Sequence, residues 1–395
     1  MRTNIDTTAV HAGREDFAGL TVHAPPLDFS STYPISDLGE AQEAFDALAR
    51  GEADVANPVY GRLHNPTVRR YERALAELEG TEDAVAFASG MAGLTACLLA
   101  ACGERRHVVA LRPLYGGTDH LLACGLLGLT VSWTTETGVA SALRPDTGLV
   151  VLETPQNPTL GQVGIEAVVA AAAGVPVLVD NTFATPILQN PAAHGAAFVL
   201  HSATKYLSGH GDVIAGIVAA GPEWAAKLRQ VRILTGAVLH PLGAYLLHRS
   251  LPTLPFRVRE AQTRAQALAE RLAADPRVTR VLFPGLPGQD PRGLLGRQLR
   301  GPGSVIAFEV NGGFEAAARL LASLRLITPA VSLGSTDTLI QHPAALTHRL
   351  VEPAAKAEAG ITDGLLRISV GLEDADDLWA DLSRGLAAAG SVLAA

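Results

Sequence analysis

The residues around Lys205 have the types and spacing that amine chemistry requires. Lys205 lies in the stretch His201–Asp212, with hydroxyl side chains and glycines on both sides. The apolar run Ala196–Leu200 directly before this stretch predicts a buried strand. A lysine held in a pocket beyond a strand end can lose its proton, and its free amine can then attack a carbonyl carbon. The pattern therefore favours a catalytic lysine over an ordinary surface lysine on a polar helix face.

Asp180 adds a second chemical group to this setting, because it ends the earlier apolar run Val175–Asp180. Pyridoxal phosphate carries both a carbonyl that a lysine can attack and a ring nitrogen that an aspartate can keep protonated. A protonated ring withdraws electrons from a carbanion. An N-cap on Asn181 and Thr182 is the alternative for an isolated aspartate at this place. Lys205, one strand–helix unit downstream, favours the cofactor partner, and pyridoxal phosphate is the predicted cofactor.

A phosphate site is indicated by the stretch Ser89–Gly93, which follows a predicted strand and opens a predicted helix. Backbone N–H groups at a helix N-terminus bind anions, and glycine lets a phosphate approach closely. Ser202 and Thr204 could supply two further hydroxyl groups. The chain contains neither GxxxxGK[ST] nor GxGxxG after a strand, so nucleotide binding gains no support.

Three more polar side chains occupy positions where chemistry is expected. Tyr115 follows the predicted strand His107–Leu111 and could stack on a planar ring or assist proton transfer; a rim aromatic is the alternative. Asn157 could donate to a phenolic oxygen of the cofactor, or could serve a turn. Arg367 lies in an apolar strand, so its guanidinium should pair with a carboxylate, either of the substrate or of the chain itself.

The composition bounds the class of protein. The 395 residues are 48% apolar and 18% charged with a net charge of −8, as expected of a globular chain with ample core. No dense Lys/Arg block appears, which argues against nucleic-acid and anionic-membrane partners. The 12 histidines form no metal-ligand set, and the three cysteines all lie in apolar segments, typical of reduced core residues. Met1–Asp6 lacks a signal-peptide pattern, so we expect a cytoplasmic protein.

Strand and helix patterns alternate along most of the chain. The seven predicted strands are Ala84–Ala88, His107–Leu111, Thr130–Trp133, Leu149–Leu152, Val175–Asp180, Phe198–His201 and Val213–Val218. Helices are predicted at Asp37–Arg50, Pro66–Leu78, Met91–Cys102, Gly117–Leu127, Ile165–Ala172 and Pro186–Ala193. This alternation predicts a mainly parallel sheet covered by helices, with ligands at the carboxyl ends of the strands.

A second, smaller α/β region is predicted after a long helical stretch, Pro241–Ala274. Its strands are predicted near Arg280–Phe283, Ser304–Val310 and Leu365–Val370, and its helices at Phe314–Ser323 and Asp374–Ala388. Apart from the helix at Asp37–Arg50, the first sixty residues look irregular, and we expect them to wrap a neighbouring subunit. The predicted division is an N-terminal arm over 1–60, a large cofactor-binding domain over 61–250 and a small C-terminal domain over 251–395.

Taken together, these motifs resemble the Cys/Met-metabolism family of pyridoxal-phosphate enzymes, the trans-sulfuration enzymes, over nearly the whole chain. The matching stretches are Tyr60–Thr67, Ser89–Met91, Tyr115–Gly117, Val179–Thr182, Ser202–His210, Val331–Gly334 and Arg367–Asp374. The lysine and final arginine motifs are highly specific together. The resemblance implies the aspartate-aminotransferase-like fold, fold type I, with a large, mainly parallel seven-stranded sheet domain and a smaller C-terminal α/β domain.

The resemblance also implies roles for individual residues. Lys205 would bond the cofactor aldehyde and move protons, Asp180 would pair with the ring nitrogen, and Tyr115 would stack on the ring. The implied phosphate ligands are Gly90, Met91, Ser202 and Thr204, joined by Tyr60 and Arg62 from the neighbouring subunit. Ser332, Arg367 and Asn157 would bind the substrate. No metal is implied.

The implied reaction is γ-elimination on a sulfur amino acid (methionine, homocysteine or cystathionine), which makes the enzyme a carbon–sulfur lyase. Its products are 2-oxobutanoate, ammonia and a thiol. γ-Replacement, as in cystathionine γ-synthase or the O-acetyl- and O-succinylhomoserine sulfhydrylases, is the alternative. The implied assembly is a homotetramer, a dimer of dimers with active sites shared across each dimer. A non-catalytic, ligand-sensing protein would need an added DNA-binding segment, and no basic helical pair is present.

Four positions separate the chain from individual members of the family it resembles. Cystathionine γ-lyases tend to carry a glutamate where this chain has Val331. Methionine γ-lyases carry a cysteine where it has Gly117, and Lys-Asp where it has Arg232 and Ile233. These departures predict a less polar site with a broader substrate range.

Overall fold

The computed structural model describes residues 4–390, so residues 1–3 of the predicted arm and 391–395 of the predicted small domain lie outside the described residues. The helices are α1 Ile5–His11, α2 Phe17–Leu20, α3 Leu38–Ala49, α4 Pro66–Glu79, α5 Gly90–Cys102, α6 Gly116–Ala123, α7 Val139–Ala142, α8 Ile165–Ala171, α9 Thr185–Leu188, α10 Pro222–Thr235, α11 Pro241–Ser250, α12 Leu254–Ala274, α13 Gly313–Ser323, α14 Pro353–Glu358 and α15 Ala375–Gly390.

The strands form two sheets. Their bounds are β1 Asp83–Phe87, β2 His107–Leu111, β3 Thr130–Thr134, β4 Thr147–Glu153, β5 Val177–Asp180, β6 Phe198–His201, β7 Gly216–Ala220, β8 Val278–Leu282, β9 Val305–Val310, β10 Thr328–Pro329, β11 Leu339–Gln341 and β12 Leu365–Ser369. The large sheet has the order β1-β7-β6-β5-β4-β2-β3, and the smaller one has the order β10-β11-β12-β9-β8.

The large sheet is mainly parallel, which confirms the predicted architecture. Its strands from β6 across to β3 run parallel, whereas β7 pairs antiparallel with both β1 and β6. The strand predicted at Val213–Val218 begins only at Gly216. The reason is that Ala215 is held by the lysine segment: its N–H donates to Thr204 Oγ1 and its carbonyl accepts from the N–H of Thr204.

The two faces of this sheet carry different helices because alternate strand residues point to opposite sides. Val151, Leu178 and Leu200 share a buried cluster with residues of α5 and α10. On the opposite face, the strands pack against α4 and α11 at one end and α8 at the other. Asp180 follows Leu178 by two residues, so its side chain points to the face that carries α5.

The long helical stretch that was predicted to be continuous is interrupted. A 3₁₀ turn at Leu251–Thr253 separates α11 from α12. Pro252 and Pro255 explain the break, since neither residue can donate the backbone hydrogen bond that a continuous helix needs.

The smaller sheet is covered by α12, α13 and α15, which bury a second core of mostly Leu, Ile and Ala side chains. The strand β11, which lies between the edge strand β10 and β12, is only three residues long, and no sequence pattern predicted it. The two sheets agree with the predicted pair of α/β regions. The domain boundaries themselves stay a prediction.

Two expectations about local structure were wrong. Residues 5–11 form a helix in which Ala9 is buried against this chain's own core, although the arm was expected to be irregular there. The helix predicted to reach Leu127 ends at Ala123, because Gly125 adopts a left-handed backbone with φ +71°. Cys124, directly after this helix, is exposed, so the interpretation of all three cysteines as core residues is wrong for Cys124 and holds for the buried Cys97 and Cys102.

Candidate active site

Lys205 lies just beyond β6, in a turn at the carboxyl edge of the large sheet. Its Nζ donates to Ser332 Oγ at 2.6 Å, a residue that follows the short strand β10 of the smaller sheet. Burial and, to a lesser extent, the neighbouring charge of Arg367 together lower the pKa of Lys205 to about 8. The amine is therefore far more available near neutral pH than that of a solvent-exposed lysine.

This lowered pKa gives a testable pH dependence. The free amine is the attacking form, so the rate at which the apoprotein captures pyridoxal phosphate should rise about tenfold per pH unit below pH 8. Above pH 8 the rate should level off. Absorbance after mixing, followed from pH 6 to 10, measures it. A rise that continues to the usual lysine pKa of 10.5 would contradict the expectation. Arg367→Gln, which removes the nearby positive charge, should move the midpoint upward.

Asp180 ends β5 and is held by the residue two positions on. Its Oδ1 accepts from the N–H of Thr182 at 3.0 Å and from Thr182 Oγ1 at 2.5 Å. The local bond resembles a cap, but α9 begins only at Thr185, so Asp180 is not the N-cap of a helix. Burial raises the pKa of Asp180, while the Thr182 bonds oppose that rise. A cationic partner in the crevice would favour the ionised carboxylate.

The N-terminus of α5 forms an anion cradle beside the lysine segment. Ser89 caps the helix through the N–H of Ala92, and the N–H groups of Gly90 and Met91 have no partner among the residues described. A Cβ on Gly90 would lie 3.0 Å from the Cβ of Ser202, so glycine permits this close approach. The two free N–H groups can bind an anion there.

Ser202 and Thr204 differ in how available their hydroxyls are. The N–H of Ser202 donates to Thr182 Oγ1, and its own Oγ has no partner among the residues described. In contrast, Thr204 Oγ1 donates to the carbonyl of Ala215 and accepts from its N–H. Thr204 must therefore redirect its hydroxyl hydrogen before it can donate to a phosphate.

Arg367 is buried in β12 and its guanidinium bonds only oxygen atoms of neutral groups. Nη1 donates to Asn157 Oδ1 and Nη2 to the carbonyl of Ser332, both at 2.8 Å. With its amide oxygen turned toward the guanidinium, Gln341 on the adjacent strand accepts from both nitrogens. The expectation of a carboxylate within the chain is wrong for residues 4–390, since none of their ion pairs includes Arg367. A substrate carboxylate remains the partner that its charge can take.

Ser332 joins the lysine to the arginine. Its Oγ accepts from Lys205 and its carbonyl accepts from Arg367, and its backbone has φ +91°. A left-handed backbone is strained for a residue with a side chain, and such strain persists only where the surroundings enforce it. The two hydrogen bonds supply that enforcement.

Tyr115 is 39% exposed at the start of α6. Its N–H donates to Glu153 Oε2 at 2.7 Å. A Cβ on Gly117 would lie 2.6 Å from the Tyr115 ring, so the glycine leaves room for the ring in this position. Glu153 and Gly117 together place the aromatic ring.

Glu153 is a site residue that the sequence reasoning missed. It ends β4, is buried, and is the register partner of Asp180 on β5. Burial and the adjacent Asp180 raise its pKa well above the usual range. The one available signal was its place at the end of an apolar run, where Thr154 and Pro155 made a turn the simpler interpretation.

Tyr60 and Arg62 stand apart from this cluster. Arg62 Nη1 donates to the carbonyl of Ile233 at 2.6 Å, and its guanidinium lies 5.5 Å from the centre of the Tyr60 ring. Within residues 4–390, no hydrogen bond joins either residue to the other candidate site residues. Both side chains are exposed, so they are free to contact another chain.

In the part of the chain that the structure describes, no three His, Cys, Asp or Glu side chains are grouped to hold a metal ion. None of the helices described there is both long and apolar enough to cross a membrane.

The chain belongs to the family of Cys/Met-metabolism PLP-dependent enzymes, whose model matches residues 6–387. It is 58% identical over 384 residues to an L-methionine gamma-lyase of Brevibacterium sandarakinum, covering 96% of this chain and 97% of that one. It is 40% identical over 391 residues to an O-succinylhomoserine sulfhydrylase of Pseudomonas aeruginosa, covering 97% and 95%.

Solved structures confirm the predicted fold class. A cystathionine gamma synthase from Xanthomonas oryzae pv. oryzae aligns with a TM-score of 0.90 and 36% identity, covering 99% of this chain and 100% of that one. Pyridoxal phosphate is the cofactor of the family, and the residues present fit it. They offer a lysine amine, a carboxylate and two free N–H groups at a helix N-terminus.

Proposed function

We propose that the chain catalyses γ-elimination on a sulfur amino acid, with release of a thiol, ammonia and 2-oxobutanoate. The observation that carries the proposal is the chain of contacts from Lys205 through Ser332 to Arg367. The amine of Lys205, which would move protons, and the guanidinium of Arg367, which can bind a carboxylate, both contact Ser332. The relatives named as methionine gamma-lyases support this reaction.

The cofactor, when bound, supplies an electron-accepting ring that stabilises negative charge on the substrate. The residues of the chain hold the cofactor and transfer the protons. Lys205 would bond the cofactor and, as a free amine, would take the α-proton of the substrate. Asp180 would keep the ring nitrogen protonated, and Tyr115 would stack on the ring and give a proton to the departing sulfur. With methionine and water as reactants, the products are 2-oxobutanoate, ammonia and methanethiol, which balances all atoms.

Substrate binding centres on Arg367. Its buried guanidinium holds the α-carboxylate through a bidentate pair, with Asn157 and Ser332 keeping the fork in place. Gly90, Met91, Ser202 and Thr204 bind the phosphate of the cofactor. At the distal end, Val331 is 52% exposed and apolar, so it offers nothing to hold the second amino group of cystathionine.

The active site in this proposal is shared between two chains. Tyr60 and Arg62 reach the phosphate of the neighbouring subunit's cofactor, and two dimers form a homotetramer. The arm supports an interface, because several of its large apolar side chains are at least half exposed or nearly so: Phe29, Ile35, Leu38 and Phe45. The domain division at residues 60 and 250 and a cytoplasmic location, supported by the three unpaired cysteines, belong to the same proposal.

γ-Replacement is the second candidate, favoured by the likeness to a homoserine sulfhydrylase and a cystathionine synthase. One experiment separates the two. The holoenzyme is incubated with methionine, homocysteine, cystathionine and O-acylhomoserines, with and without an added thiol, and products are identified by mass spectrometry.

The expected result of that panel is methanethiol from methionine and hydrogen sulfide from homocysteine at rates within about tenfold of one another, which is the lower end of the roughly 10- to 200-fold by which one methylene separates substrates in an apolar pocket. Gly117 and Ile233 provide the broad site. If the enzyme only forms thioether products, from O-acylhomoserine and the added thiol, then γ-replacement and not γ-elimination is its reaction. A preference for methionine of more than a hundredfold would contradict the broad site.

A further inference from the structure

Arg257, in the first turn of α12, is a buried cation without a counter-ion. Its side chain is 7% exposed, and none of the ion pairs between residues 4–390 includes it. Burial alone lowers its pKa to about 10. A buried charge is costly unless its hydrogen bonds are satisfied, so the oxygens that surround this guanidinium must compensate it.

Four hydrogen bonds provide that compensation, and one of them reaches the lysine segment directly. Nη1 donates to the carbonyl of Tyr206 at 2.8 Å, the residue after Lys205. Nη2 donates to the carbonyl and Oγ of Ser250, which ends α11, and Nε donates to Thr253 Oγ1. Ser250 Oγ in turn donates to the carbonyl of Ser208. The guanidinium thus holds the segment on both sides of its turn.

Gly209 leaves the space that the Arg257 guanidinium occupies. A Cβ there would lie 2.0 Å from Arg257 Nη1, and the residue has φ +73°. Its N–H closes the turn by donating to the carbonyl of Lys205 at 2.8 Å. Gly211 offers a useful contrast, since its φ is +69° but the nearest atom to its Cβ would be Ser335 Oγ at 3.9 Å.

We infer that Arg257 is a positioning residue whose planar fork fixes the turn that carries Lys205. This inference rests on the proposed function, in which Lys205 bonds the cofactor. A lysine side chain has many rotamers, so the position of its backbone decides whether Nζ can meet Ser332 and the cofactor aldehyde. An ammonium group cannot replace the fork, because its three donors lack the fixed planar geometry.

The first test compares Arg257→Lys, which keeps the charge, with Arg257→Met. Arg259→Lys and Arg259→Met are matched controls, since Arg259 lies two residues on and pairs with Asp6 on the exposed surface. Two quantities are measured: amide exchange of residues 206–209 in the apoprotein, and the rate at which the apoprotein captures pyridoxal phosphate. Both Arg257 variants should show at least tenfold faster exchange and at least tenfold slower capture, whereas the Arg259 variants should match wild type.

The second test substitutes Gly209 and leaves Arg257 unchanged. Gly209→Ala should reproduce both defects, because its methyl group would displace the guanidinium. Gly211→Ala introduces a similar backbone strain without that contact, so the rate of cofactor capture should stay within about twofold of wild type. This pair keeps the inference testable if an Arg257 variant does not fold.

The outcomes separate the inference from the proposed function. Borohydride reduction and peptide mass analysis of wild-type protein should locate the cofactor on Lys205; an unlabelled Lys205 would overturn the proposed function. If Lys205 is labelled, either of two results would overturn the role of Arg257. One is that Arg257→Lys has the amide-exchange and cofactor-capture rates of wild type. The other is that Gly209→Ala and Gly211→Ala show equal defects.

Discussion

Replacing Lys205 with alanine should remove the cofactor absorption of the purified protein and lower the rate of thiol release at least about 1,000-fold. In the proposed reaction the amine both bonds the cofactor and transfers the α-proton, and loss of one positioned acid–base group alone costs about 100- to 10,000-fold. Absorption spectra, borohydride labelling and single-turnover rates with methionine measure these effects. The variant should still fold, because within residues 4–390 the side chain of Lys205 makes a single hydrogen bond, to Ser332 Oγ.

Lys227→Ala is the matched control for this experiment. Lys227 lies on the surface of α10, where it pairs with Glu223 one helical turn away. Its removal should leave the spectrum and the rate within about twofold of wild type, because exposed ion pairs contribute little. An unchanged spectrum in Lys205→Ala would show that the cofactor is bound elsewhere.

Mixing two inactive variants should restore activity if the active site is shared. Lys205→Ala lacks the amine, and Arg62→Ala lacks a charge-assisted phosphate contact whose loss costs about 10- to 100-fold. In a mixed dimer, one site combines the intact Lys205 of one chain with the intact Arg62 of the other. Random pairing of equal amounts therefore gives about a quarter of wild-type activity.

The control mixture combines Arg62→Ala with the double variant Lys205→Ala/Arg62→Ala. None of its dimers contains an intact Arg62, so activity should stay at the level of the Arg62→Ala chains alone. Native mass spectrometry establishes that subunits have exchanged. With exchange established, a mixture of the two single variants that recovers nothing would show that Arg62 serves its own chain.

The parts of the fold that the sequence predicted well are those where local pattern and tertiary position agree. Apolar runs such as His107–Leu111 and Phe198–His201 are buried strands because both faces of the sheet are covered. The segment 213–215 departs from this agreement. It has the apolar character of a strand, but its backbone bonds the lysine turn instead of the sheet.

The parts of the site that the sequence did not predict depend on contacts between distant segments. Arg257 has the appearance of an ordinary helical arginine until α12 is packed against the turn after Lys205, 51 residues earlier in the chain. Glu153 becomes part of the site only through its register with Asp180 and its bond to Tyr115. No local spacing signals such contacts, because they arise from the order of strands and the packing of helices.

The guanidinium of Arg367 bears on selectivity between amino acids and amines that lack a carboxylate. Within residues 4–390 its nitrogens donate only to uncharged oxygens, so no ion pair of the described chain neutralises its positive charge. If Arg367 binds the substrate carboxylate as proposed, decarboxylated amines would share the aldehyde-reactive nitrogen of amino acids but would have no carboxylate to pair with this charge, and they would gain none of its binding energy. The proposed site would therefore bind polyamine-type compounds more weakly than amino acids.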